Sequence, residues 1–130
     1  MSAAEQRIAI ARRWMEEVLN QRNVAVADEI VAPDCVDHFH PAPARVFVPF
    51  IAAAFPDFQF TTEDLFAGDD DRVVVRFTMT GTHEGEFAGM VPTGRRFSLE
   101  GIAIMRVVDG KIVEFWEKAD SLTAALGESG

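Results

Sequence analysis

The chain has 130 residues, of which 48% are hydrophobic and 25% charged, and its net charge is −9 at pH 7. These proportions are those of an ordinary globular protein, so they exclude extensive disorder and predict one domain over residues 1–130. A nucleic-acid backbone and an anionic lipid surface both need clustered Lys and Arg, so we expect neither nucleic acid nor membrane as a partner.

The N-terminal sequence and the cysteine content predict a cytoplasmic protein. Residues 1–10 lack the basic start and the continuous apolar stretch of a secretory signal. No apolar run approaches the roughly 20 residues that cross a bilayer. Cys35 is the only cysteine, so it cannot form an internal disulfide, and without a CxxC partner we expect a buried, unreactive thiol.

The first half of the chain has helical patterns. Ser2 and Glu5 form a capping box, after which apolar residues recur at helical spacing. Pro33 and Pro56 each end a helical pattern, and Pro49 is acceptable in a first helical turn. Three helices are therefore predicted, over residues 3–20, 24–31 and 48–55.

From residue 57 the hydrophobic period changes to two, which is typical of half-buried strands. Strands are predicted at about residues 58–62, 73–81, 97–107 and 111–119, with a Gly-rich loop over residues 84–96. Helices followed by a meandering antiparallel sheet predict an α+β fold in which the apolar face of the sheet packs under the helices.

The hairpin at Asp109-Gly110 decides which side chains of the last two strands face the interior. A three-residue loop over 108–110 pairs Ala103 with Phe115 and leaves one face apolar except for Glu117. A two-residue turn would shift every cross-strand partner by one, and this alternative stays open.

Glu117 is the only acid on that predicted inner face. Burial disfavours the charged form of a carboxyl group, raises its pKa and makes it a better base near neutral pH. Glu117 is therefore the candidate catalytic base, although a frayed strand end would instead leave it in solvent beside Lys118. On the preceding strand the inward row 73–81 continues to His83, which we expect at the mouth of the same pocket.

Acids and histidines also cluster at Asp34, Asp37, His38 and His40. A His-x-His pair on an extended segment would place both imidazoles on one face, as metal ligands require. No third ligand stands at a recognised spacing, so we expect no metal and interpret His38 as a pocket or core residue.

Two longer segments carry a family resemblance. Residues 81–97 read GTHEGEFAGMVPTGRRF, and residues 104–114 read IMRVVDGKIVE. Together they resemble the SnoaL-like polyketide cyclases, whose pattern has G-x-H-x-G, a P-T-x-R-R segment and then an aliphatic-R-x-x-D-G-K-I strand. The likeness covers residues 57–127 and, more loosely, the first helix and the sequence VAPDCVDH.

This resemblance implies the cone-shaped α+β fold of the nuclear transport factor two-like superfamily, in which a curved antiparallel sheet and N-terminal helices enclose a pocket. In these cyclases an acid on the last strand performs the cofactor-free intramolecular aldol closure of a polyketide ester, and it falls on Glu117. The family's assisting histidine falls on Ala103. The segment between His40 and Phe50 is shorter than the family's loop.

We therefore expect an enzyme without metal or cofactor that acts on a hydrophobic carbonyl compound. Glu117 would remove the proton beside the carbonyl, and His83 or His38 would polarise an oxygen. The chain has no tyrosine, which argues against a phenolic oxyanion hole. Epoxide opening or hydration in the same pocket, and a non-catalytic ligand-binding domain, are the alternatives.

The predicted pocket wall is apolar and is expected to bind a small hydrophobic molecule. Its predicted residues are Trp14, Phe77, Met79, Phe87, Met90, Gly101, Ala103, Met105 and Phe115. The opposite face of the sheet would expose an apolar patch, which monomers usually avoid, so we expect a homodimer through that face. The predicted patch consists of Ile102, Ile104, Ile112 and Trp116.

Overall fold

Helices come first along the chain and strands dominate its second half in the computed structural model, which describes residues 2–127. The helices are α1 (Ala3–Arg13), continued by a π-helix (Trp14–Asn20), α2 (Val24–Ile30), α3 (Ala44–Ala54) and α4 (Leu122–Gly127). The strands are β1 (Val31–Asp37), β2 (Gln59–Ala67), β3 (Arg72–Thr82), β4 (Arg96–Val108) and β5 (Lys111–Ala119). The predicted α+β class is confirmed. None of the helices among residues 2–127 is long and apolar enough to cross a membrane.

The first helix begins at the predicted capping box. The Ser2 hydroxyl accepts a hydrogen bond from the Glu5 N–H at 3.1 Å, and the Glu5 carboxylate accepts one from the Ser2 N–H at 3.1 Å. At the far end of the π-helix, the Asn20 side chain pairs with both backbone groups of Phe60, at 2.7 and 2.8 Å. These two bonds join the helical layer to β2.

The sheet has the strand order β1-β5-β4-β3-β2 and curves without closing. Strands β2 to β5 form the predicted antiparallel meander, whereas β1 runs parallel to β5. Sequence analysis did not predict β1, because Pro33 was interpreted only as the end of a helix. Pro33 is tolerated here because β1 is an edge strand and Pro33 lies in the irregular stretch between the paired residues Val31 and Val36.

The β4–β5 hairpin differs from the predicted register. Val108 pairs with Lys111, so the turn has two residues, and Asp109 and Gly110 both have positive φ, 51° and 76°. Such a turn favours an Asp-Gly pair. A register irregularity between the Val107 and Arg106 pairs follows, because β5 carries one extra residue, Val113.

Because of the extra residue, the part of β5 that follows it has its side chains on the predicted faces of the sheet. Beyond the irregularity Ala103 pairs with Glu117 rather than with Phe115, and both lie on the inner face. The predicted partners were therefore wrong by two residues, while the inward orientation of Glu117 was right. Ile112 was predicted on the outer face, but it is 1% exposed and belongs to the core, because it precedes the extra residue.

Helix α3 starts at Ala44, earlier than predicted, directly after Pro43 in extended conformation. Pro49 consequently lies inside the helix rather than in its first turn, and its missing N–H leaves the Arg45 carbonyl without a helical partner. Both residues are exposed, so water can satisfy that carbonyl. This helix faces the open end of the sheet and forms one side of the pocket described next.

Candidate active site

An apolar cavity of about 440 Å³ lies between α3, the inner face of the sheet and the segment that follows β5. This volume is within the range of small-molecule sites, roughly 300–1,000 Å³. Its walls are mainly aromatic and aliphatic, and its polar side chains are those of His40, Glu117, Asp120 and Ser121. The remaining lining residues are Leu19, Phe39, Pro41, Phe47, Val48, Phe50, Ile51, Phe58, Phe60, Phe77, Met79, Phe87, Leu99, Ala119 and Leu122.

Glu117 lies in this wall, near the end of β5 and opposite Ala103. Within residues 2–127, no donor forms a hydrogen bond with its carboxylate. Burial, with an added repulsion from Asp37, raises the pKa of Glu117 to about 8. The group can therefore both take and give a proton near neutral pH, as an acid/base catalyst must.

Asp37 and His40 form a polar pair where β1 ends. One Asp37 oxygen accepts hydrogen bonds from the N–H groups of Phe39 and His40, both at 2.9 Å, and this turn folds the chain back. The other oxygen lies 2.9 Å from Nδ1 of His40. Burial would raise the pKa of Asp37, but the hydrogen bonds from His40 and Phe39 outweigh it and lower that pKa.

Aromatic rings hold the His40 imidazole in place at the pocket wall. The ring stacks on Phe47 with centroids 4.2 Å apart and an interplanar angle of 6°. Phe115 and Trp14 lie behind it, with centroids at 4.9 and 5.8 Å. The sequence pattern grouped His40 with a potential metal pair and did not assign it to the pocket.

His38 lies on the other side of the sheet from the pocket. Its Nε2 is 2.8 Å from a carboxylate oxygen of Glu114, and its ring stacks on Trp116 with centroids 5.3 Å apart. His38 and His40 do not share a face, because the chain leaves β1 after Asp37 and bends. Across residues 2–127, no group of three or more His, Cys, Asp and Glu side chains is arranged to hold a metal ion.

His83 continues the inward row of β3, as predicted, but it is not part of the pocket wall. It is 0% exposed. Its ring Nδ1 accepts a hydrogen bond from the Thr93 backbone N–H at 3.2 Å, and its backbone N–H donates to the Arg95 carbonyl at 2.8 Å. His83 therefore holds the loop 84–95 against the sheet instead of standing at the pocket mouth. Gly85 supports the same arrangement, since a Cβ there would collide with the Ala53 carbonyl oxygen.

The residues predicted to bind substrate separate into three groups. Phe77, Met79 and Phe87 line the cavity. Trp14 and Phe115 lie one layer behind His40. The others are packed away from the cavity: Met90, Gly101, Ala103 and Met105.

The position of Gly101 has a packing explanation. A Cβ at Gly101 would meet the ring of Phe77 and the side chain of Ala119, so the absent side chain makes room for an aromatic ring of the wall. Sequence analysis missed the contribution of α3 to the pocket, including Phe47, Phe50 and Ile51. Phe47 lies before the predicted start of the helix, and no pattern assigned the face with Phe50 and Ile51 to the pocket.

Cys35 is half-buried on β1 rather than buried as predicted. Burial and the negative charges of Asp37, Asp34 and Glu114 raise the pKa of its thiol to about 11. The thiolate is the reactive form of cysteine, so this environment suppresses nucleophilic chemistry at Cys35.

Comparisons with known proteins agree with the fold and with the resemblance of the sequence. Residues 9–126 match the family model of the SnoaL-like polyketide cyclases. The nogalonic acid methyl ester cyclase of Streptomyces nogalater is 30% identical over 124 residues, which cover 88% of this chain and 92% of that relative.

Solved structures show the same fold. AclR from Streptomyces galilaeus, a proposed hydroxylase, has a TM-score of 0.83 and 32% identity, covering 96% of this chain and 83% of AclR. IdmH from Streptomyces antibioticus, a proposed polyketide cyclase, has a TM-score of 0.77 and 32% identity, covering 95% of this chain and 99% of IdmH. Because the family match spans nearly the whole chain, this protein belongs to the SnoaL-like polyketide cyclase family.

Proposed function

We propose that this protein is a cofactor-free acid/base enzyme that closes a ring in a hydrophobic, polyketide-type carbonyl compound. The observation that carries the proposal is the Glu117 carboxyl in an apolar cavity, with no hydrogen-bond partner within residues 2–127 and a pKa of about 8. The similarity to nogalonic acid methyl ester cyclase supports the substrate class.

The proposed reaction needs only proton transfers and one new carbon–carbon bond. The Glu117 carboxylate takes a proton from the carbon beside a carbonyl, and the electron pair moves onto the carbonyl oxygen. The resulting enolate carbon attacks a second carbonyl carbon of the same molecule. The new alkoxide then takes the proton back from Glu117, so the product is an isomer of the substrate and the enzyme returns to its starting state.

The raised pKa of Glu117 predicts the pH dependence of this reaction. A carboxylate base is active only when ionised, so kcat/KM should rise about tenfold per pH unit as the pH approaches 8 from below. Initial rates across pH 5.5–9.5 test this expectation. A rate independent of pH over this range would contradict a base with that pKa.

Conversion of nogalonic acid methyl ester, followed by liquid chromatography and mass spectrometry, tests the function directly. We expect an isomeric product of unchanged mass. Glu117→Gln keeps the side-chain volume and removes the base, so it should lower the rate by roughly 10²–10⁴ with nearly unchanged binding. The exposed Glu86→Gln is the matched control and should behave like wild type.

The alternatives give different results in the same assay. Binding of the ester without conversion by the wild type would favour a ligand-binding domain. A product heavier by one water would favour hydration. Full activity of Glu117→Gln would contradict the role of this carboxylate.

A further inference from the structure

Ring closure also requires a group that stabilises the carbonyl oxygen as charge develops on it, and most polar side chains of the pocket are already engaged. Asp120 accepts a hydrogen bond from the Glu100 N–H at 3.2 Å. The Ser121 hydroxyl accepts one from the Ala124 N–H at 3.1 Å, at the start of α4. Ala103, the cross-strand partner of Glu117 on β4, offers only a methyl group. The Ser121 hydroxyl keeps its own proton, but this residue is exposed, so His40 is the half-buried side chain of the wall that can donate a proton.

The register of the sheet brings His40 to the same region as Glu117. Asp37 on β1 is the partner of Phe115 on β5, two residues before Glu117 on the same inward row. The His38 N–H extends this pairing with a bond of 2.9 Å to the Phe115 carbonyl. The turn after Asp37 then places His40 against the Phe115 ring.

The Asp37 contact also determines which nitrogen of His40 is available. An ionised carboxylate can only accept, so the short contact to Nδ1 requires a proton on that atom. Nε2 is then the ring atom left for a ligand, and it has no hydrogen-bond partner within residues 2–127. The stacked Phe47 ring and the edge of Phe39, at 4.9 Å, fix the plane of the imidazole.

We propose that His40 is a second catalytic residue of this site, whose Nε2–H donates to the substrate's carbonyl oxygen while Glu117 takes the neighbouring proton, and that Asp37 is the positioning residue of His40. This inference rests on the proposed function. Donation from Nε2 while Nδ1 donates to Asp37 requires a proton on both ring nitrogens, and the Nε2–H stabilises the enolate oxygen until the carbon–carbon bond forms. A carboxylate beside the ring stabilises the imidazolium, as the acid of a catalytic triad does.

Replacement of His40 tests this role. In His40→Gln we expect kcat for nogalonic acid methyl ester to fall by roughly 10²–10³, the loss typical for one donor to a developing oxyanion. The dissociation constant, measured by equilibrium dialysis, should stay within about threefold, because the donor acts mainly in the transition state. The control His38→Gln changes a histidine on the outer face and should leave both constants unchanged.

Asp37→Asn adds a second measurement, the pH dependence of the rate, which a purely structural role of Asp37 would leave unchanged. Asparagine can still accept from Nδ1, but it removes the charge that repels Glu117 and stabilises the imidazolium. We expect a lower kcat. The increase of the rate with pH should also begin at a lower pH than in the wild type, because the pKa of Glu117 falls when its negative neighbour is removed. Circular dichroism verifies that each variant is folded.

The outcomes separate this inference from the proposed function. A wild type that does not convert the ester overturns the proposed function and the role of His40 with it. An active wild type with an equally active His40→Gln overturns the role of His40 alone. An Asp37→Asn variant with the wild-type rate and pH profile overturns the positioning role of Asp37.

Discussion

Glu117 has different protonation states in the folded and unfolded chain at neutral pH. Its pKa is near 4.5 in an unfolded chain and about 8 in the pocket, because burial and Asp37 disfavour the charge. Between these values the folded state binds more protons than the unfolded state, so this group makes stability fall as pH rises from 4.5 to 8. The raised pKa that suits Glu117 to proton transfer therefore costs stability, and this cost grows from pH 4.5 and is complete above pH 8.

Glu117→Gln should consequently stabilise the protein at high pH. We expect the free energy of unfolding to increase by about 1–3 kcal/mol at pH 8.5 and to change little at pH 4, where the glutamate is neutral in both states. Urea denaturation at the two pH values measures the difference. Glu86→Gln should show no pH-dependent gain, and an equal effect of Glu117→Gln at both pH values would contradict the raised pKa of Glu117.

The two catalytic candidates differ in how far they can be predicted from the sequence. Glu117 lies two residues after the apolar Phe115 on a strand, so alternation along β5 marks it as a candidate. His40 follows the end of a strand, where alternation stops and the direction of the side chain depends on the turn made by Asp37. That strand was itself not predicted, so no pattern in the sequence placed His40 in the pocket.

Among the elements, the β4–β5 hairpin shows how a local prediction can be wrong while its consequence is right. The Asp109-Gly110 pair forms a two-residue turn, which alone would have turned Glu117 to the outer face. The extra residue Val113 reverses this effect. Sequence patterns identify a turn and an alternation, but an unpaired residue within a strand leaves too weak a signal, so the cross-strand partners could not be predicted.

The loop 84–95 provides a stability prediction for an element of the pocket. Gly85→Ala should destabilise the fold by about 1–3 kcal/mol, because the new Cβ would push the loop away from the Ala53 carbonyl and displace Phe87 from the wall. Thermal denaturation measures this loss. At Gly68 the nearest neighbour of a Cβ is the movable Asp70 side chain, so Gly68→Ala is the matched control. Equal melting temperatures of the two variants would contradict the tight contact at Gly85.

For the whole molecule, the outer face of the sheet bears on assembly. Ile102 is 46% exposed, and Ile104 and Trp116 are half-buried, whereas Ile112 belongs to the core and drops out of the predicted patch. We still propose a homodimer through this smaller patch. Sedimentation equilibrium at micromolar concentration should give twice the chain mass of 14.4 kDa, and Ile102→Lys should shift the protein towards the monomer. A wild type that sediments as the 14.4 kDa chain would contradict the dimer.

The most direct test of the central claim is the pKa of Glu117, which requires no substrate. Nuclear magnetic resonance of protein labelled with ¹³C at the glutamate side-chain carboxyl follows each group through a pH titration, and Glu117→Gln identifies the resonance. We predict that one glutamate titrates near pH 8 and that its resonance is missing from the variant. If the resonance lost in Glu117→Gln titrates near the ordinary value of 4.5, Glu117 is not the desolvated base of this pocket.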